Sequence, residues 1–124
     1  MSAGAALQAA VAARLGALGL FDGVYDGPPA RAGFPYVALD AGNESDWGHK
    51  SGAGREVGLA VTLWAAGGDG LQELAYAVEG CVLGTGAVAG WQLVSVRLIR
   101  RRVVRDVAGP WAMAIDFRAR MLAG

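Results

Sequence analysis

From Glu56 to Trp64 the chain alternates without a break. Val57, Leu59, Val61 and Leu63 fall on one side of an extended backbone, with Glu56, Gly58, Ala60, Thr62 and Trp64 on the other. Side chains of a strand project to opposite faces with period two, so this run belongs to a sheet with one covered face and one open face. The C-terminal stretch repeats the pattern, setting Trp111, Met113, Ile115 and Phe117 against Ala112, Ala114, Asp116 and Arg118. Both runs need an apolar layer over one side of the sheet, and the rest of the chain has to supply it.

Two segments have helical period. Leu7, Val11, Leu15 and Leu18 form a stripe through the Ala-rich segment from Ala5 to Leu18, with Ser2 as N-cap and Gly19 as stop. A second stripe, Leu71, Leu74, Ala75, Val78 and Val82, predicts a helix from Gly70 to about Leu83, opened by a capping box of Asp69 and Gln72. Phe21 to Gly33 is crowded with turn formers and reads as a surface loop. Phe34 to Asp40 reads as a short strand with Val37 and Leu39 on one face. The polar, Gly-rich stretch from Ala41 to Gly54 reads as a long mobile loop that becomes ordered in assembly, with Trp47 as its anchor. Trp91 to Val104 and Pro110 to Leu122 are two long strands joined by the turn Arg105-Asp106-Val107-Ala108-Gly109. The expected architecture is α+β, residues 1–124 forming a single domain. It is an antiparallel sheet of about four strands, with a long C-terminal hairpin and two helices packed on one face.

Composition narrows the functions such a domain can have. Of the 124 residues, 54% are hydrophobic and 18% charged, against about 25% charged in an average soluble domain. One small core hides less apolar surface than this chain carries, and the surplus points to protein partners. No apolar run reaches the roughly 20 residues of a membrane-spanning helix, and the first residues lack the basic start of a secretory signal. The expected compartment is a cytoplasm. Net charge is zero with 11 basic and 11 acidic residues, so no global field favours nucleic acid or anionic lipid.

The residue inventory offers little catalysis. Cys81 is the sole cysteine and His49 the sole histidine, which leaves no disulfide, no zinc quartet and no histidine relay. Asp22, Asp26, Asp40, Glu44 and Asp46 are spread over loops and read as solvated. The glycines from Gly84 to Gly90 follow a helix and precede a strand, the reverse of a dinucleotide-binding turn. No catalytic residue, cofactor or metal ligand is assigned. The one dense charged feature lies between Arg97 and Arg105, five arginines in nine residues. Strand alternation would place Arg97, Arg101 and Arg105 on one face and Arg100 and Arg102 on the other. Three readings remain open for it: an edge kept soluble by charge, a protein interface meeting acidic groups, or contact with DNA phosphates.

At Ala6-Leu7-Gln8-Ala9-Ala10, Val24-Tyr25-Asp26-Gly27, Phe34-Pro35-Tyr36-Val37 and Asp46-Trp47-Gly48, the sequence resembles the phage tail completion or tail terminator proteins of long-tailed phages, prophages and gene transfer agents. The resemblance covers nearly the whole chain. It implies a structural virion protein without catalytic residues, built into a hexameric ring that caps the tail tube and connects it to the capsid neck. The implied partners are further copies of the chain, the tail tube protein, a neck or stopper protein and DNA passing through the lumen, with assembly in the bacterial host cytoplasm. Interface residues expected for such a ring are Trp47, His49 and Lys50 of the polar stretch and Arg100, Arg101 and Arg102 of the arginine strand. The alternatives are another neck or head-tail joining protein, a DNA-binding accessory protein using the arginines, or a small enzyme or ligand-binding domain with a polar pocket.

Overall fold

A computed structural model describes residues 1–105 and 109–124. The elements in chain order are α1 (Ala3–Ala17), β1 (Gly23–Asp26), β2 (Tyr36–Asp46), β3 (Gly54–Ala65), α2 (Leu71–Leu83), β4 (Trp91–Arg105) and β5 (Trp111–Ala123). The strands form one five-stranded sheet in the order β1-β2-β3-β5-β4. The sheet is mixed, since β1 runs parallel to β2 while all other pairs are antiparallel. The expected four antiparallel strands are thus corrected by one short strand in the segment read as a loop. Backbone bonds explain its presence. Asp22 N–H donates to Pro35 and Gly27 N–H to Leu39, clamping Gly23–Asp26 against β2 at both ends.

The alternating faces are as the sequence requires. Val57, Leu59, Val61 and Leu63 of β3 are buried together with Met113, Ile115 and Phe117 of β5. Leu7, Val11 and Leu15 of α1 and Leu71, Ala75, Val78 and Val82 of α2 close the same core. Both helices therefore cover one face of the sheet, and the other face is left open. Ser2 caps α1 through its hydroxyl, which accepts from Ala5 N–H. Leu18 falls outside the helix and its stripe, because the chain turns at Gly19 with a positive φ of 68°. The capping box expected for α2 does not form. Gly70 holds the cap position in the left-handed conformation, with no side-chain cap bond, and Asp69 lies one residue too early.

The stretch expected as a mobile loop is largely strand. β2 continues to Asp46 opposite Arg55 of β3, after an irregularity between Asp40 and Asn43 that resets the register. Polar residues pair there because α1 supplies partners. Gln8 Oε1 accepts from Ala41 N–H and Glu44 Oε1 from Gly4 N–H. A tight turn, in which the backbones of His49 and Gly52 bond each other, returns the chain to β3.

Candidate assembly surface

Among the described residues the open face of the sheet and the edges at β4 and at β1 are left without a pairing strand or a helix over them, and the β4 edge is the longer of the two. At one end of the open face Tyr36 stacks between Phe34 and Trp64, with ring centroids 5.8 and 6.1 Å away, and Tyr25 meets it edge-on at 5.9 Å. Small residues Gly58 and Ala60 occupy its middle, opening a shallow trough of about 750 Å³ bordered by Asp40, Asn43, Glu56, Arg100 and Arg118. Beyond it, Arg120 bonds Glu56 at 3.0 Å and lies 5.6 Å from the ring of Trp47. Within this lining Arg100 pairs with Asp116 and Glu56 with Arg120, while Asp40 and Arg118 make no ion pair among the described residues. Among the described residues no cluster of His, Cys, Asp or Glu is placed to hold a metal ion. No described helix is long and apolar enough to cross a membrane.

Among the described residues β4 pairs with β5 on one side and with no other strand of the sheet. An edge strand of 15 residues is long, and its unpaired backbone groups make it a template for another chain. Val94, Leu98, Ile99, Val103 and Val104 along it are 37 to 50% exposed. The apolar surplus seen in composition is concentrated here.

Two bulges reorganise the arginines. The register with β5 shifts between Leu93 and Ser95 and again between Leu98 and Arg100, leaving Val94 and Ile99 as extra residues. Each extra residue reverses the alternation downstream of it. Arg97 therefore does not share a face with Arg101, as strict alternation would have it. It lies opposite Arg118 and joins Arg100 and Arg102 on the open face, while Arg101, opposite buried Ile115, turns to the helix side. There its guanidinium donates to Glu79 Oε2 at 2.5 Å and to Gln72 Oε1 at 3.2 Å, tying β4 to α2. Arg100 pairs with Asp116 at 3.2 Å, and Arg105 lies 5.3 Å from the ring centroid of Trp111. Arg102 is exposed. Of the hairpin turn, residues 106–108 lie outside the described residues.

The expected interface residues thus fall into two groups. Trp47, half-buried, and His49 and Lys50, both exposed, sit at the β2–β3 turn. Nδ1 of His49 accepts from Ser51 N–H. Arg100 and Arg102 lie on the open face and Arg101 is a structural tie to α2, so the structure does not gather the six at one place. Arg97 and Arg118, directly opposed, were invisible to residue spacing, because their meeting depends on the two bulges. Cys81 is buried on α2, and that burial pushes its thiol above the ordinary value, against a smaller lowering by the charge and hydrogen bonding of Arg14.

The same architecture occurs in a chain from the virion of a native gene transfer agent (GTA) particle. The likeness has a TM-score of 0.80 at 27% identity and covers 96% of each chain. No curated protein matches the sequence. Residues 4–122 match the family described as tail completion protein gp17. That span runs from the first turn of α1 into the last residues of β5, and the chain belongs to the tail completion protein gp17 family.

Proposed function

We propose that this tail structural protein forms a closed hexameric ring that ends the tail tube and connects it to the neck of the capsid. The observation that carries this reading is the open edge of β4, with its row of exposed apolar residues and arginines, in a chain of the tail completion family. A ring requires two different surfaces of each subunit to meet around a closed rotation, and this uses apolar area beyond the core. Tube rings stack by a repeating head-to-tail contact. A ring that presents a tube-like face on one side and a different face on the other ends the series. Its partners are then the tube protein below, a neck or stopper protein above, and DNA crossing the lumen. The ring is assembled in the host cytoplasm and stays at the tail-neck junction of the virion.

Deleting the gene in a producing strain tests this reading. Full capsids without tails are expected, together with free tails of uncontrolled length, both counted by electron microscopy. Tails of normal length joined to capsids in the deletion strain would end the terminator assignment. Tails of normal length that fail to join would instead indicate a neck protein acting above the tube.

A further inference from the structure

The two ends of the sheet carry opposite charge. β4, at one edge, contains five arginines and no acid, whereas β1 and β2, at the other, contain Asp26, Asp40, Glu44 and Asp46 and no base. The chain is neutral overall, so this is a separation of charge and not an excess of one sign. Internal pairs use part of each set. Arg100 and Arg101 bond Asp116 and Glu79, and Glu44 bonds Arg55. Among the described residues Arg97, Arg102 and Arg118 at the basic end make no ion pair, and neither do Asp26, Asp40 and Asp46 at the acidic end.

The opposition of Arg97 and Arg118 is informative. Like charges directly across a strand pair are unfavourable within the subunit, so this pair is tolerated best where an acid from outside lies between them. We infer that subunits of the ring meet head to tail across the sheet edges, the basic β4 edge of one copy against the acidic β1–β2 edge of the next. The partner of the arginine strand is a second copy of this chain. Nucleic acid would satisfy the arginines equally well but leaves the acids of β1 and β2 without a role, whereas a neighbouring copy uses both. The bulges at Val94 and Ile99 interrupt a continuous ladder, so the contact is made by side chains. Ile99 and Val94, about half exposed, supply its apolar part.

This inference rests on the ring reading, and the test separates the two. Two variants are made, Arg97→Glu with Arg102→Glu and Asp26→Arg with Asp40→Arg, all at exposed positions outside the core. Each is checked for folding by its circular dichroism and melting, then expressed alone or together in the deletion strain. In a head-to-tail ring either variant alone places like charges at every interface, and tail joining is expected to be lost. Co-expressed, the two can alternate, each reversed edge meeting its reversed complement, and joined tails should return. A misfolded chain cannot be rescued in this way. Joining by either variant alone, or failure of the co-expressed pair to restore it, overturns the edge-to-edge contact while leaving the terminator role standing. Joining in the deletion strain with no chain supplied overturns the terminator role itself.

Discussion

Among single residues, Cys81 shows how burial alone sets behaviour. In the sequence it falls beside the apolar stripe of the second helix, next to Val82, and the structure buries it there with α2 packed on the sheet. Burial disfavours the thiolate, raising the group above its ordinary value, and the nearby Arg14 guanidinium only partly offsets this. The sign of the pH dependence follows. As pH rises past the ordinary thiol value, the unfolded chain loses its proton while the folded chain keeps it, so stability falls with increasing pH. The contribution is fully present below the unfolded value and is lost as pH passes through the raised folded one. Denaturant midpoints of the wild type and of Cys81→Ala, measured from neutral to alkaline pH, should therefore converge as pH increases. Parallel curves would mean that the thiol titrates alike in both states. Reaction with thiol reagents should also be slow until denaturant opens α2, because only the exposed thiolate is a good nucleophile.

Strands β3 and β5 and both helices could be read in advance because each buries one face, and burial writes a period into the residues. β1 and the distal half of β2 could not, because what holds them is backbone bonding and side-chain bonds to α1, Gln8 of α1 accepting from Ala41 and Glu44 of β2 accepting from Gly4. Neither leaves a hydrophobic period. β4 was legible as a strand but not in its register: two extra residues, Val94 and Ile99, change which arginine faces which side, and alternation counted along the sequence has no sign of them. The consequence is measurable at the level of the element. Arg101→Met removes both bonds to α2 and leaves Glu79, whose side chain is 13% exposed, without its cation. A cost of about 1–3 kcal/mol is expected from a deserted, mostly buried acceptor. The neighbouring Arg102→Met, exposed on the opposite face, should stay within about 0.5 kcal/mol of wild type. Urea midpoints of Arg97→Met measured beside these decide between the bulged register and strict alternation: alternation without bulges would put Arg97 on the face of Arg101, whereas at its exposed place on the open face its loss should cost no more than that of Arg102.

For the molecule as a whole, family and architecture agree, while the proposed edge-to-edge assembly would combine two kinds of contact that respond to salt in opposite ways. The basic edge and the acidic edge attract over a range set by the Debye length, about 10 Å at 0.1 M salt and about 3 Å at 1 M. The exposed Val94 and Ile99 bring apolar area that excluded salts such as sulfate strengthen. If the edges meet, sodium chloride raised to about 1 M should shift rings toward monomers in sedimentation or native mass measurements. Ammonium sulfate at matched ionic strength should shift them less, because it screens the charges but reinforces the apolar contact. Ile99→Asp should then dissociate the ring in both salts, since it removes apolar area and adds an acid to an edge that otherwise carries only bases. A ring equally stable in both salts, and unaffected by Ile99→Asp, would move the subunit contact away from β4 and return its arginines to a solvated edge.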